Sequence, residues 1–385
     1  MAPRRAVVAI HLADPSGPWR SLQPVIERLA AQGTDVVVAV PELGRVSEEL
    51  GDRGRAVATG HTPLTLPRGP RDVAATAATL RRDAGRFDAL LRRERPDLVV
   101  VATTTLPALA LAARRRRRPL IVYAAELYRQ GAVGDRLRSR VGRSALRLNE
   151  RLAAVVVPCS HAVAAQLRHP ERAVVAYPTV APDGGGDADA LRRRCAIPAG
   201  GPVIATIGNI ARGRGQDDAI RALAELRRDR PGARLVIGGT PLPREVDRAY
   251  AAELRALAAE LGVPDAVHFA GFVRPADVFA VADVVVNPAR VAETFGIVAT
   301  EALLAGVPVV STNVGAVPEV LRDGHHALLV APDRPGELAR AIAALLEDPA
   351  LSARLVAAGR DHVRATFAPE RQLPRWDAAI ERALG

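Results

Sequence analysis

Glu293 and Glu301 stand eight positions apart in ETFGIVATEALLAGVPVV, a run that carries no other charge and is mostly apolar. A carboxylate buried without a partner is costly. Either the run is more open than its composition implies, or something binds Glu301. Gly296 is placed to open a helix, with Glu293 in the loop before it. The amides of Phe295, Gly296 and Ile297 would then face outward as an anion site, because the first N–H groups of a helix have no intrahelical acceptor. Glu301 would lie more than one turn in, where its carboxylate could accept hydrogen bonds from a diol such as a ribose, each worth roughly 1.5–3 kcal/mol. The plainer alternative is an ion pair between Glu301 and a nearby arginine on a structural helix.

A second constellation is IGNIARGRGQDDAIRALAEL, residues 207–226. A strand is expected to end at Gly208 and Asn209 to follow it. A glycine-rich turn then carries Arg212 and Arg214 before a helix opens after Gly215. Strand, flexible turn, cationic side chains and helix N-terminus together resemble a phosphate cradle. The Walker pattern G-x-x-x-x-G-K-[ST] is absent, and such a loop alone is a weak signal. Asp187 and Asp189 form a D-x-D, but in a glycine-rich segment rather than at a strand end, so no metal site is expected. Cys159 and Cys195 are far apart and have no metal or redox spacing, which fits a reducing compartment.

These loops need strands to hold them. Short Val/Ile-rich runs alternate with longer helical patterns: residues 6–12, 35–40, 97–102, 119–124 and 153–158 in the first half, and 202–208, 233–239, 266–272, 283–288 and 307–312 in the second. Continuous apolar runs are expected of parallel strands covered on both faces, and the βαβ alternation predicts an α/β protein. APDGGGDADA (181–190) interrupts the pattern and reads as linker. The expected organisation is a first Rossmann-like domain over 1–180, a linker over 181–200, a second Rossmann-like domain over 201–366 and a C-terminal helix over 367–385. Ligands of such sheets sit where strand C-termini meet helix N-termini, so a cleft between the two domains is expected to bind one.

Of 385 residues, 49% are hydrophobic and only 3% aromatic, so the cores must be built from Ala, Val and Leu. All 53 basic residues are Arg, as in a GC-rich genome, which weakens the arginine excess as a functional sign. The net charge of +11 still favours anionic partners. The scarcity of aromatics and the lack of a recognisable module argue against nucleic acid. MAPRRAVVAIHLADPSG has too short an apolar run for a signal peptide. LVVVATTTLPALALAARRRRR falls short of the ~20 apolar residues of a membrane span. It reads as a strand and a helix, with Arg114 to Arg118 near the helix C-terminus, where cations are favoured. A cytoplasmic protein is expected. Arg136, Arg140, Arg143, Arg147 and Arg151 fall on one helical stripe, with Leu137, Val141, Ser144, Leu148 and Leu152 beside it. Such a helix either packs its apolar stripe on the core with the arginines solvated, or lies peripherally on an anionic membrane.

Taken together, the two loops resemble those of the family 4 glycosyltransferases, retaining enzymes of the GT-B fold. ETFGIVATEALLAGVPVV is similar to the family's E-x7-E segment, and GNIARGRGQDD to its G-R-L-x-x-x-K-G loop. HFAGFV (268–273), STNVGAVPEVLRDGHHALLV (311–330), PSGPWRSLQPVIERLAAQGTDVVVAV (15–40) and FAPERQLPRWDAAIERAL (367–384) fall in the family's order. The likeness is close in 200–330 and loose in 1–180. It implies two doubly wound Rossmann-like domains facing across a cleft, and transfer of a sugar from a nucleotide-diphosphate sugar, UDP- or GDP-linked, to a hydroxyl of a glycan, lipid-linked or small-molecule acceptor. It also implies no cofactor and no metal. Glu301 would hold the donor ribose and Glu293 the hydroxyls of the transferred sugar. Phe295, Gly296 and Ile297 would offer backbone amides to sugar and phosphate. Arg214 would stand beside the diphosphate in the loop that begins at Gly208, Val273 would present backbone groups to the base, and Gly17 belongs to the first-domain loop.

Two departures bear on the chemistry. Asn209 stands where the family usually has its diphosphate arginine, and Arg212 is the residue near enough in sequence to replace that charge. Ala124, Ala125 and Glu126 stand where the family commonly has a first-domain histidine, which leaves Glu126 as the acceptor-side candidate. His11 and His161, also near strand ends, read as hydrogen-bonded polar residues. Two alternatives to a transferase follow: a non-hydrolysing sugar-nucleotide epimerase of the same fold, and a nucleotide-sugar-binding protein without turnover.

Overall fold

The computed structural model describes residues 3–64, 70–128, 136–181, 184–242 and 244–385. The chain divides into two compact units, Met1–Thr179 with Pro369–Gly385, and Val180–Ala368.

The first unit runs β1 (Arg5–Ala9), α1 (Gly17–Ala31), β2 (Asp35–Val40), α2 (Arg45–Leu50), β3 (Arg55–Ala58), α3 (Pro70–Glu94), β4 (Leu98–Val101), α4 (Pro107–Arg115), β5 (Leu120–Ala124), α5 (Arg136–Leu152), β6 (Val155–Pro158) and α6 (His161–Ala164). The sheet is parallel, in the order β3-β2-β1-β4-β5-β6. Alternation along β1 shows why Ala6 to Ile10 carry no polar side chain. Ala6 and Val8, with Ile10 just beyond the strand, enter one core with Trp19 and Leu22 of α1, while Val7 and Ala9 enter the other with Phe87 of α3 and Leu109 of α4. The first core takes in the last helix of the chain, Pro369–Leu384, whose Trp376 is 2% exposed and lies 5.6 Å, ring to ring, from Tyr123.

Two sequence expectations change here. Strand β3 was not foreseen, because RAVA is short, half-exposed and at the sheet edge. The apolar stripe of α5 is also rotated. Gly142, Ala145, Leu146 and Asn149 are buried, whereas Ser144 is exposed and Val141, Leu148 and Leu152 are half-buried. Asn149 sets this rotation by donating from Nδ2 to the carbonyls of Thr104 (3.0 Å) and Ala145 (2.8 Å). The side chains of Arg136 and Leu137 lie outside the described residues. No helix among the described residues is long and apolar enough to cross a membrane.

The second unit runs α7 (Ala188–Arg194), β7 (Val203–Ile207), α8 (Gln216–Leu226), β8 (Arg234–Gly238), α9 (Glu245–Glu260), β9 (Val267–Gly271), α10 (Pro275–Val281), β10 (Val284–Asn287), α11 (Ile297–Ala305), β11 (Val309–Thr312), α12 (Val317–Val320), β12 (Leu328–Val330), α13 (Pro335–Glu347) and α14 (Pro349–Phe367), and α15 (Pro369–Leu384) then closes the first unit. This sheet is also parallel, in the order β12-β11-β10-β7-β8-β9. Its edge strand β12 was likewise unread, since LLV is only half-buried. The stretch read as linker, 181–200, falls at the start of the second unit. Its described part includes α7, capped by the Asp187 side chain accepting from the Ala190 amide at 2.8 Å. Gly186 lies so close to α10 that a Cβ there would fall 2.0 Å from the Ala276 carbonyl oxygen. Asp187 is therefore a helix cap held to its own unit.

The strand order of the second unit reverses between β7 and β10, which are neighbours. In an open parallel sheet the crevice beyond the strand C-termini at such a switch point is where ligands bind. The loops leaving β7 and β10 hold the two constellations singled out in the sequence.

Candidate functional site

The loop after β7 passes Gly208 and the exposed Asn209, makes one 3-10 turn at Arg212–Arg214, and enters α8 through Gly215. Gly215 must be glycine: its φ is +69°, and a Cβ would lie 1.9 Å from the Pro288 carbonyl oxygen at the end of β10. That close approach draws the two loops together. The Gly213 carbonyl then accepts from the amides of Arg290 (2.9 Å) and Val291 (3.2 Å). On its other side, the loop after β10 is held by the turn after β11. The Ala316 amide donates to the Glu293 carbonyl at 2.7 Å, and a Cβ on Gly315 (φ +61°) would lie 2.1 Å from that same oxygen. Glu293 is thus fixed by its backbone from two directions.

The side chains follow. Arg214 donates to, and ion-pairs with, the Glu293 carboxylate, whose side chain is 13% exposed against 42% for Arg214. Gly296, at φ +94°, caps α11, which begins at Ile297 and has no acidic residue in its first turn. The amides of that turn open toward the loop without intrahelical acceptors. Phe295 is buried and meets Phe367 edge-on at 5.0 Å, which anchors the turn that presents them.

Glu301 is half-buried. Among the described residues it is the one ionisable residue lining a cavity of about 300 Å³ walled by Gly184, Gly185, Ala276, Phe279 and Leu304. The carboxylate thus faces a cavity between α10 and α11. Val273 follows β9 and is 8% exposed, with its side chain toward Gly238.

Arg212 does not join this group. Its guanidinium pairs with Glu253 of α9, with one hydrogen bond of 2.6 Å, and lies 5.1 Å from the centre of the Tyr250 ring. In a 3-10 turn residues two apart point in different directions, so Arg214 reaches Glu293 while Arg212 turns to α9. Arg212, expected to supply the charge absent at Asn209, is thus engaged with α9 in this structure. Asn209 offers its carbonyl to Nε2 of Gln216 at 3.0 Å.

The cradle at α8 also differs from expectation. Asp217 and Asp218 occupy its first turn, where an arriving anion would have to sit. Arg290 bridges them and offsets part of their charge. It forks onto Asp217 at 2.7 and 2.9 Å, pairs with Asp218 at 2.6 Å, and pairs with Asp333 through Nε. Tyr250 donates to Asp217 at 2.5 Å. Burial works against the charge of Asp217, but the bonds from Arg290 and Tyr250 hold its pKa below the usual range. Asp218 is pushed up by burial. This network was missed in the sequence. Its signal was two adjacent aspartates opening a helix, which call for a cation.

Gly17 and Glu126 belong to the first unit. Gly17 is the exposed first residue of α1. Glu126 follows β5 and accepts from Oγ1 and N of Thr104 (2.9 and 3.2 Å), from the Ala125 amide (3.2 Å) and from Thr103. Burial raises its pKa, only partly offset by these bonds. A carboxylate with this many donors to its two oxygens is held as a brace between the ends of β4 and β5.

Comparison with known proteins agrees with this architecture. Residues 187–362 match the family model of glycosyl transferases group 1, and residues 16–183 that of the glycosyl transferase 4-like domain. The D-inositol 3-phosphate glycosyltransferase of Acidothermus cellulolyticus is 36% identical over 208 residues, 52% of this chain and 44% of that protein. The 2-deoxystreptamine glucosyltransferase of Streptomyces kanamyceticus is 33% identical over 255 residues, 64% of each. The chain spans about half the length of the curated relatives it matches first. Among solved structures, Anabaena HepE in complex with UDP and glucose superposes with a TM-score of 0.81 at 21% identity, covering 98% of this chain and 99% of that one. Sucrose-phosphate synthase from Thermosynechococcus elongatus superposes with a TM-score of 0.79 at 22% identity and 98% coverage of both chains. The fold is the GT-B type, with two Rossmann-like units. Each half of the chain matches a glycosyltransferase domain model, the second half that of group 1 and the first half the 4-like domain.

Proposed function

We propose that the protein is a retaining, metal-independent glycosyltransferase of family 4 that moves a sugar from a nucleotide-diphosphate sugar to an acceptor hydroxyl. The second unit would take the donor and the first the acceptor. The observation that carries this reading is the meeting of Arg214 and Glu293 across the β7/β10 switch point, beside the opening of α11. A cation, a carboxylate and a helix N-terminus are what a diphosphate bonded to a polyhydroxylated sugar requires. Arriving phosphate would draw Arg214 away from Glu293, and the released carboxylate could accept from sugar hydroxyls. Arg214 and the α11 amides would stabilise the leaving diphosphate as its charge grows in the transition state. Glu301 would accept from the ribose, with the base beyond it toward Val273. Relatives named for transfer to D-inositol 3-phosphate and to 2-deoxystreptamine, and a structural neighbour solved with UDP and glucose, support a small polyhydroxylated acceptor and a uridine donor. A cytoplasmic setting with peripheral contact to anionic lipid is part of the same reading, since Arg140, Arg147 and Arg151 of α5 are exposed.

The test incubates the full chain with UDP- and GDP-sugars and an acceptor panel of inositol phosphates and aminocyclitols, with and without EDTA. Nucleotide release that depends on acceptor, persists in EDTA and gives a product of retained anomeric configuration by NMR is expected. Turnover without acceptor, or an inverted product, overturns the reading.

A further inference from the structure

We propose that Arg290 is a positioning residue. It clasps the loop that carries Glu293 to the turn that carries Arg214, and its single charge offsets part of the negative charge at the first turn of α8, which lowers the repulsion an approaching anion meets. Its effect on donor binding rests on the function proposed above; the clasp itself does not.

Three observations lead there. First, Arg290 joins three elements from one position. Its guanidinium engages Asp217 and Asp218 at the start of α8 and Asp333 in the loop before α13, while its own amide donates to Gly213 in the turn after β7. A forked guanidinium with a fixed plane can serve two aspartates at set angles, which an ammonium cannot. Secondly, Arg290 lies three residues before Glu293, and Gly213 is adjacent to Arg214. The distance over which the ion pair can drift is therefore set by the clasp. Thirdly, Asp217, Asp218 and Asp333 bring three formal negative charges against the single positive charge of Arg290. The side chains of Arg290 and Asp217 are each 23% exposed and that of Asp218 is 7% exposed, so water screens them incompletely. Without Arg290 these carboxylates would repel one another and any phosphate at the neighbouring turn.

Hydrogen–deuterium exchange on the full chain separates this role from general stability. The variants are Arg290→Gln, Arg290→Lys and Asp333→Asn, the last removing an exposed partner. In Arg290→Gln the amides of positions 290, 291 and 316 should exchange about tenfold faster or more, the effect of losing a charge-assisted bond. Amides within β8 should keep the wild-type rate. Arg290→Lys should fall between, and Asp333→Asn should stay near wild type. Calorimetry with UDP and GDP should then show about tenfold weaker nucleotide binding in Arg290→Gln and partial recovery in Arg290→Lys. Wild-type exchange at positions 290, 291 and 316 in Arg290→Gln would overturn the clasp, and so would acceleration spread equally over β7 and β8. If the wild-type chain binds neither nucleotide, the donor reading fails while the exchange rates still decide the clasp.

Discussion

Replacing Glu293 by Gln should move binding and turnover in opposite directions. In the protein Arg214 is committed to the Glu293 carboxylate, and that carboxylate is nearly buried at 13% exposure. A diphosphate must compete for Arg214 and also lie near a negative charge. A charge-assisted hydrogen bond contributes roughly 1.5–3 kcal/mol when shielded, and the 42% exposure of Arg214 brings this down to about 1 kcal/mol. Gln keeps the shape and removes the charge, so UDP should bind about fivefold tighter by calorimetry. Nucleotide release from the donor sugar should meanwhile fall by about 10², the usual cost of losing one positioned electrostatic partner. Arg214→Ala should instead lower both. Weaker UDP binding in Glu293→Gln, matching that of Arg214→Ala, would refute the competition. The carboxylate would then be holding Arg214 in place for phosphate rather than contesting it.

Other outcomes follow from particular contacts. Glu301→Ala should weaken UDP binding about 10- to 100-fold, the loss of one charge-assisted bond; unchanged affinity in calorimetry removes Glu301 from the donor site. Trp376→Ala should destabilise the first unit by about 3–5 kcal/mol through its cavity, read as a shift in urea denaturation. A change under about 1 kcal/mol would mean that α15 is not part of that core. His61 bonds Ile10 and Thr59, and burial lowers its pKa from 6.5 to about 4, as burial and His61 do for His11. The fold holds both neutral, so the unfolded chain takes protons first. Stability should be complete above about pH 6.5, fall as the pH drops toward 4, and level off below. His61 alone contributes on the order of 3 kcal/mol to that loss, and His61→Gln should flatten the acid limb of a melting-temperature profile.

Among the described residues, ten of the twelve strands were legible because both faces of each sheet are covered, and a doubly covered strand must be apolar throughout. The two unread strands, β3 and β12, are edges with half-exposed residues, where that constraint is absent. The site was legible as two loops, since glycines and charges at a strand end are conspicuous. Which charge met which was not. Arg212 and Arg214 are equivalent in sequence, and only the 3-10 turn sends one to Glu253 and the other to Glu293. The glycine run at 184–186 read as slack chain because nothing in its composition shows that α10 lies against it; Ala276, which requires Gly186, is ninety positions away.

The two helix N-termini at the switch point are not equivalent, and the difference sets which of them would receive an anion. Both α8 and α11 begin beside a glycine in the left-handed region, Gly215 and Gly296, and each would attract negative charge by its dipole. In α8 that place is taken by Asp217 and Asp218, whose charge is drawn off by Arg290. In α11 the first turn carries no carboxylate. The sequence pattern of strand, glycine turn and helix pointed to α8 as the cradle. On the proposed function the phosphate would sit toward α11, with the β7 loop contributing the Arg214 side chain rather than its helix. Introducing a carboxylate into the α11 first turn, Val298→Asp, should therefore weaken UDP binding at least tenfold by occupying that dipole. Removing one from α8, Asp218→Asn, should leave it within about threefold. Calorimetry on the two variants distinguishes the helices, and a larger effect from Asp218→Asn would return the phosphate to α8.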